Sequence, residues 1–322
     1  MRFVIYGAGA IGALVGARLH QSGVDVQLVG RGAHLDAMRS NGLVVEDPRG
    51  AVRLDVNAVK ASDIAIDART VVLLAVKSHQ TSGALDHLVA VAPPDLPIVC
   101  MQNGVENERL ALRRFRNVYG VPVMCPAVHL EPGVVRAHAA PITGLLDIGR
   151  YPAGLDETAA AIAAVLNAAT FDSIVRPDIQ RWKYAKLLGN LGNAVEAVCG
   201  PSARRGRIGQ LVRAEGEQCL EAAGIDIAPP EPPARMATIA PQPIRGIPRP
   251  GGSSWQSLQR GAQSIETDYL NGEIVLLGRL HGIPTPVNEL LQSLCVAYAL
   301  AGTPPGSMNE QEFLESLDAL RD

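Results

Sequence analysis

Short apolar runs alternate with helical patterns through the first half of the chain. Strand-like runs occur at residues 2–6, 24–29, 44–46, 52–56, 71–76, 98–101 and 118–124. Helical patterns separate several of them, at residues 11–21, 78–91 and 106–115. This alternation predicts an α/β fold with a mostly parallel, doubly wound sheet. The turn residues Asp47 to Gly50 predict a hairpin inside that sheet.

The pattern becomes helical in the second half. Short β segments, expected to be antiparallel, lie between residues 128 and 148, and an alanine-rich helix follows at 159–168. From Pro177 onward the long patterns are helical, at residues 179–198, 208–223, 255–280 and 288–299. We therefore predict an α/β domain of residues 1–174 and an all-helical C-terminal domain of residues 175–322.

Residues 228–250 interrupt the helical half and are called the proline-rich segment below. Repeated prolines exclude a long helix there. We expect this segment to lie in the second domain, as a loop or lid beside the substrate or as a wrap onto a partner. A stiff surface connector explains the composition equally well.

Composition narrows the class of protein. The chain has 322 residues, 47% hydrophobic and 19% charged, with a net charge of −3 and no basic tract, which argues against a nucleic-acid partner. No apolar run approaches the ~18 residues of a membrane span, and we expect no signal peptide. The 5 cysteines form no C-x-x-C and the 7 histidines form no H-E-x-x-H. These features predict a cytoplasmic protein with reduced thiols and no metal site.

The first strand-like run leads directly into Gly7-Ala8-Gly9-Ala10-Ile11-Gly12, and a helical pattern follows. Strand, G-x-G-x-x-G and helix, in this order, are typical of a Rossmann-like dinucleotide-binding unit. Gly7 allows the tight turn, Gly9 lets the backbone approach a pyrophosphate, and Gly12 lets the helix pack closely on the strand. The alternative is a glycine-rich turn in another kind of α/β protein.

The next strand indicates which dinucleotide is bound. An NAD site usually has an acidic residue about 20 residues after the glycines, on the ribose 2′-hydroxyl. Here the strand ends at Val29-Gly30-Arg31, without an acid. Arg31 can pair with a 2′-phosphate, so we predict NADPH rather than NADH as the cofactor. The alternative for Arg31 is a solvated surface side chain.

The helical pattern at 179–198 carries Lys186, Asn190 and Asn193 within an arc of roughly 60°. The surrounding positions are apolar, so we expect the helix to be buried. A buried lysine beside two carboxamides is typical of a site for a small polar anion. The alternative is a solvated stripe at the domain edge. Lys183, about one turn earlier, is expected to matter much less than Lys186.

Other candidate residues follow strands or begin helices. Lys77 and Asn103 come after strand-like runs, at the sheet edge where open α/β sheets bind ligands. Ser254 and Glu266 lie in the second domain. The alternatives are an Asn-Gly turn for Asn103, helix capping for Ser254 and a surface acid for Glu266.

Motifs spread along nearly the whole chain match one known family in order and spacing. They are Gly7 to Gly12, Arg31, Ala75-Val76-Lys77, Gln102-Asn103-Gly104-Val105, Lys186-Leu187-Leu188-Gly189-Asn190, Ser253-Ser254, Glu266 to Gly272 and Gly282 to Asn288. In these motifs the chain resembles the ketopantoate reductase (2-dehydropantoate 2-reductase) family.

The resemblance implies an NADP-binding domain followed by a helical substrate and dimerisation domain, in a possible homodimer. It implies that Lys186 is the general acid and that Asn103, Asn190, Ser254 and Glu266 bind substrate. We also expect Glu266 to bias the lysine charge. Arg31 and Lys77 match NADPH-contacting positions. We add Asn193 to the substrate-binding set and Asn103 to the cofactor set.

The chain departs from the family pattern in three places. Ala194 stands where the family often has an asparagine, and Leu258 stands where an aspartate often follows the serine pair. The proline-rich segment replaces a helix that commonly precedes the serines.

These features together predict an NADPH-dependent reductase of a small 2-oxo acid, with 2-dehydropantoate, an intermediate of pantothenate synthesis, as first candidate. The alternatives are a reductase of another 2-oxo acid and a non-catalytic NADPH sensor. A short-chain dehydrogenase is disfavoured because Tyr184 and Lys186 lack the Tyr-x-x-x-Lys spacing.

Overall fold

The computed structural model describes residues 1–320, which form two compact units. The first contains residues 1–183 and 230–249, and the second contains residues 184–229 and the described residues from 250 onward. The proline-rich segment therefore belongs largely to the first unit, whereas the sequence predicted it in the helical domain.

The strands in chain order are β1 (Arg2–Tyr6), β2 (Asp25–Val29), β3 (Leu43–Asp47), β4 (Gly50–Leu54), β5 (Asn57–Val59), β6 (Thr70–Leu74), β7 (Ile98–Cys100), β8 (Val118–Gly120), β9 (Ala127–Val128), β10 (Val134–Ala137), β11 (Gly144–Leu145), β12 (Gly149–Arg150) and β13 (Phe171–Asp172). The helices are α1 (Ala10–Gln21), α2 (Gly32–Asn41), α3 (Thr81–Val91), α4 (Asn107–Leu112), α5 (Glu157–Ala168), α6 (Ile179–Cys199), α7 (Arg207–Ala222), α8 (Pro233–Ala237), α9 (Ser253–Gln259), α10 (Asn271–His281), α11 (Pro286–Ala301) and α12 (Glu310–Asp318).

A seven-stranded sheet, in the order β12-β8-β7-β6-β1-β2-β5, organises the first unit. All its neighbouring strands pair in parallel except β12, which pairs antiparallel with β8. Counted along the chain, the parallel strands follow the 3-2-1-4-5-6 order of the doubly wound Rossmann sheet. The order reverses between β1 and β6, and such a switch point is where open α/β sheets bind ligands.

Both faces of this sheet are buried, which explains why its strands are continuous apolar runs. Along β1, Phe3 and Ile5 pack into the core on one face. Val4 and Tyr6 pack into the core on the other face. The prediction of an α/β fold with a parallel sheet and a helical C-terminal region is confirmed.

The hairpin at Asp47 to Gly50 forms as predicted, with Asp47 paired to Gly50 between β3 and β4. Its predicted location inside the parallel sheet is wrong, because it lies in a separate sheet of order β4-β3-β10-β9. The residues of β4 are nearly all exposed, and such a strand cannot join a sheet that is buried on both faces.

The second unit is helical, and its helices α7, α10 and α11 pack against one another. A Cβ atom at Gly216 of α7 would lie 2.8 Å from Leu188 and Leu191 of α6, so the glycine allows these two helices to approach closely. The predicted single helix at 255–280 is wrong. It is divided into α9 and α10, because Gly261 (φ +66°) leaves the helical conformation and a short 3-10 turn follows at Glu266–Tyr269.

Ion pairs attach the proline-rich segment to the rest of the first unit. Arg235 contacts Asp147, Asp172 and Glu231. Arg176 also contacts Asp147 and Glu231, at 2.7 and 2.8 Å. No helix within residues 1–320 is long and apolar enough to cross a membrane.

Candidate functional site

The glycine-rich turn joins β1 to α1 and contacts the turn that follows β6. The amides of Gly7 and Ala8 donate to the Val29 carbonyl at 3.2 and 2.8 Å. Gly7 has φ +110°, and a Cβ atom there would lie 2.8 Å from the Val76 amide nitrogen. Only glycine accommodates both this conformation and this approach. The turn is thereby held at the switch point of the sheet.

The other two glycines of the motif serve different purposes. A Cβ atom at Gly12 would collide with the Gly7 carbonyl oxygen, so this glycine lets α1 lie close to the turn. At Gly9 no atom lies within 4 Å of a Cβ position, which leaves open space beside the backbone. Gly9 is the N-cap of α1, and no side chain caps the helix. Open space beside uncapped helix amides fits a pyrophosphate.

Arg31 is exposed and directly precedes α2, at the carboxyl end of β2. Because β2 lies beside β1, Arg31 and the glycine-rich turn follow adjacent strands at the same sheet edge. His34, which the sequence did not indicate, lies in the first turn of α2. Its Nδ1 accepts from the Gly133 amide at 2.8 Å, and its ring centroid lies 4.1 Å from that of His129. Burial and the neighbouring His129 lower the pKa of His34 to about 4, so its imidazole is neutral at physiological pH.

Lys77 and Asn103 follow β6 and β7, the next strands of the sheet. Lys77 directly precedes a 3-10 turn at Ser78–Gln80. Asn107 Nδ2 donates to the Asn103 carbonyl at 3.0 Å. The structure thus brings the glycine-rich turn, Lys77 and Asn103 to the carboxyl ends of neighbouring strands, as predicted from the positions of the runs.

Lys183 does not fit its expected role as a dispensable lysine. It is 2% exposed, and its Nζ lies 2.7 Å from Oε1 of Glu108, which is fully buried. The same Nζ donates to the Gln102 carbonyl at 2.7 Å. Loss of Lys183 would leave a buried carboxylate uncompensated, so this lysine cannot serve as a neutral control for Lys186.

In the second unit, α6 carries the predicted lysine and the two asparagines. Lys186 is half-buried, and Asn190 and Asn193 are buried. The apolar residues around them are buried as well (Leu187, Leu188, Leu191, Ala194, Val195 and Val198). The prediction that this helix is buried is confirmed, and a solvated stripe is wrong for the asparagines.

The Asn193 amide is engaged inside the second unit. Its Oδ1 accepts from Arg204 at 3.0 Å, and its Nδ2 donates to Ser253 Oγ at 3.4 Å. Arg204 also pairs with Glu196 at 2.9 Å. Asn193 therefore connects α6 to the start of α9, a link that the sequence did not reveal.

Ser254 and Glu266 are both buried. Ser254 lies within the first turn of α9, whose N-cap is Gly252 and is not capped by a side chain. Capping therefore does not account for the serine. Burial likewise argues against Glu266 as a surface acid.

Two further polar interactions of the second unit are structural. Glu215 accepts from the amides of Val287 and Asn288 at 2.9 and 3.0 Å, and so caps the start of α11. Asn271 Nδ2 donates to Asn288 Oδ1 at 3.0 Å. Asn271 and Asn288, which belong to the motifs named above, thus connect α10 with α11. Across residues 1–320 no group of three or more metal-ligating side chains is placed to hold a metal ion.

The strand order and the glycine-rich turn define a Rossmann-like α/β protein with a helical C-terminal unit. Residues 3–153 match the family model described as ketopantoate reductase PanE/ApbA, and residues 178–299 match the model of the family's C-terminal domain. The chain belongs to the ketopantoate reductase family.

Similar proteins match over nearly their whole length. The 2-dehydropantoate 2-reductase of Pyrococcus horikoshii is 31% identical, with 92% of this chain and 97% of the relative covered. The 2-dehydropantoate 2-reductase of Mesorhizobium japonicum is 30% identical, with 91% of this chain and 96% of the relative covered.

Solved structures share the fold. A PanE/ApbA family ketopantoate reductase from Ralstonia eutropha has a TM-score of 0.77 at 28% identity, with 94% of this chain and 99% of that chain covered. D-mandelate dehydrogenase with NADH and anilino(oxo)acetate has a TM-score of 0.80 at 23% identity, with the same coverage. At 23% identity the second likeness concerns the fold alone.

Proposed function

We propose that this protein uses NADPH to reduce a 2-oxo acid to the 2-hydroxy acid, and that its substrate is 2-dehydropantoate, which yields pantoate. The observation that carries this proposal is the similarity to relatives named 2-dehydropantoate 2-reductase, which extends over both units. The match of both halves to the family's two models supports it.

A nicotinamide dinucleotide is the cofactor, and when bound it supplies the hydride for the ketone carbon. The residues Gly7, Ala8, Gly9, Ala10, Ile11 and Gly12 hold its pyrophosphate, while Lys77 and Asn103 contact it from the neighbouring strand ends. The open space at Gly9 supports this assignment. Arg31 binds the 2′-phosphate, which makes NADPH the preferred form. The exposure of Arg31 and the lack of an acid at the end of β2 support that preference.

Lys186 donates the proton to the carbonyl oxygen as it becomes an alkoxide. Asn103, Asn190 and Ser254 hold the acid and hydroxyl groups of the substrate. Glu266 accepts from a substrate hydroxyl and biases the lysine towards its charged form. The burial of Asn190, Ser254 and Glu266 supports these roles, because removing a polar group from water carries a free-energy cost.

Asn193 contributes to the same site indirectly, through its hydrogen bond to Ser253. Its amide is engaged by Arg204 and Ser253, which favours a role in positioning the serine pair over direct contact with substrate. We further propose that residues 1–174 form the NADP-binding domain and that residues 175–322 supply the substrate and dimerisation functions, in a cytoplasmic homodimer. The 5 cysteines are free thiols, as a reducing compartment requires.

A second candidate is the reduction of another 2-oxo acid on the same scaffold. Ala194 and Leu258, which replace polar residues of the family pattern, are both buried. An apolar group in each place favours a substrate with a larger apolar side chain. A non-catalytic NADPH sensor is the third possibility, and a sensor would not need Lys186, Asn190 and Glu266 together.

Initial rates of NADPH oxidation distinguish these candidates. The purified protein is assayed with 2-dehydropantoate, 2-oxoisovalerate and phenylglyoxylate, each over a range of concentrations. The proposal predicts the highest kcat/KM for 2-dehydropantoate. A preference for phenylglyoxylate would favour the second candidate, and tight NADPH binding without turnover on any acid would favour a sensor.

A further inference from the structure

A buried ion pair lies beneath the loop that carries Asn103. Lys183 and Glu108 are almost completely buried, with Nζ 2.7 Å from Oε1. Glu108 lies in the first turn of α4, just beyond the loop, and Lys183 lies near the start of α6. The same ammonium donates to the carbonyl of Gln102, which directly precedes Asn103.

The Gln102 side chain extends this contact to the neighbouring strand end. Its Nε2 donates to the Val76 carbonyl at 3.0 Å and to Thr81 Oγ1 at 2.8 Å. Thr81 Oγ1 donates to Asn107 Oδ1 at 2.7 Å. The loops after β6 and β7 are thus joined by a buried polar network that adjoins both Lys77 and Asn103.

Stability alone does not explain an ion pair in this place. Burial raises the pKa of the Glu108 carboxyl, against the opposing charge of Lys183. A well-packed apolar pair of similar volume is often at least as stable as a buried ion pair. An apolar pair would leave the Gln102 carbonyl without its charged donor, however, and that bond is what a lysine provides here.

We propose that Lys183 is a positioning residue, whose ammonium, compensated by Glu108, holds the Gln102 carbonyl and thereby fixes the loop that presents Asn103. Asn103 contacts cofactor and substrate only under the proposed function, so the kinetic consequence rests on that function. The effect of Lys183 on the order of the loop is independent of the proposed function.

Three variants separate positioning from general stability. Lys183→Met removes the donor and leaves Glu108 uncompensated. Lys183→Met combined with Glu108→Leu removes the donor and the buried charge together. Arg18→Met is the matched control, because Arg18 forms another buried ion pair of the same unit, with Asp47 at 2.6 Å, near the end of α1.

Hydrogen exchange of the segment 101–112 is the first readout, measured by mass spectrometry well below the unfolding transition. This segment contains the Met101 amide, which donates to the Leu74 carbonyl at 2.9 Å, and the amides of α4. We expect exchange at least about tenfold faster in both Lys183→Met proteins, which is the lower end of the range for losing a hydrogen bond to a charged donor. Arg18→Met should leave the segment unchanged while lowering the unfolding temperature.

Steady-state kinetics are the second readout. KM for NADPH and for the oxo acid should rise about tenfold in both Lys183→Met proteins, although the double variant regains much of the thermal stability. If the double variant regains wild-type exchange and wild-type KM together with stability, Lys183 is merely structural. If the wild-type protein reduces no 2-oxo acid, the proposed function fails, and the exchange measurement still decides the role of Lys183.

Discussion

Arg235 is the main attachment of the proline-rich segment, so its replacement shows whether the segment supports the first unit. Its guanidinium donates to both oxygens of Asp147 and both oxygens of Asp172, and it lies 3.0 Å from Glu231. The side chains of Arg235 and Asp147 are 11% and 1% exposed. We expect Arg235→Ala to destabilise this unit strongly.

The magnitude follows from what remains after the substitution. Removing one partner of a buried ion pair typically costs about 3–5 kcal/mol. Arg176 still contacts Asp147 and Glu231, at 2.7 and 2.8 Å, and the Ile174 amide still donates to Asp147. With part of the compensation retained, we expect a loss of about 2–3 kcal/mol, or roughly 4–12 °C in the unfolding temperature.

The loss should depend on pH in a defined direction. Burial opposes ionisation of Asp147, but the guanidinium groups of Arg235 and Arg176 outweigh it and hold the pKa below its ordinary value of 3.8. A depressed pKa contributes stability that is present above the unfolded value and is lost as pH falls through the folded value. The difference between wild type and variant should therefore be constant near neutral pH and shrink below about pH 4.

Differential scanning calorimetry from pH 3 to pH 8 measures both effects. Arg69→Ala is the control, because Arg69 forms an exposed ion pair with Asp67 in the same unit, and it should leave the unfolding temperature nearly unchanged. A loss below 1 kcal/mol for Arg235→Ala, or a loss independent of pH down to pH 3, would refute the reasoning.

Three further predictions concern the candidate site and the helical unit. Arg31→Ala should reduce the preference for NADPH over NADH by about 1.5–3 kcal/mol, measured as a ratio of kcat/KM values; equal use of both cofactors by wild type would contradict the role of Arg31. Lys186→Ala should lower kcat by roughly two to four decades while NADPH still binds, with the exposed Lys60→Ala as control; near-normal kcat would remove Lys186 from the mechanism. Glu215→Gln should lower the unfolding temperature without changing KM, because it weakens the cap of α11.

Features specified by adjacent residues could be predicted from the sequence. The β1–α1 unit follows from a short apolar run, three glycines and a helical pattern, so both its bounds and its turn were expected. The burial of Asn190 and Asn193 also followed, because most of the positions around them on the helix are apolar.

Features specified by distant residues could not be predicted. Strand β10 pairs Val134 with Val44, and nothing in either segment indicates that partner. Lys183 resembles any polar residue in a helical pattern until its distant partners Glu108 and Gln102 are known. The proline-rich segment was assigned to the wrong unit for the same reason, since its anchor Arg235 depends on distant acids.

Direct measurement of the product tests the central claim. The purified protein is incubated with NADPH and 2-dehydropantoate, and pantoate is quantified by chromatography against NADPH consumed. The account predicts one pantoate formed for each NADPH oxidised in wild type, and almost none in Lys186→Ala. NADPH consumed without pantoate, or no consumption by a folded protein that binds NADPH, would contradict it.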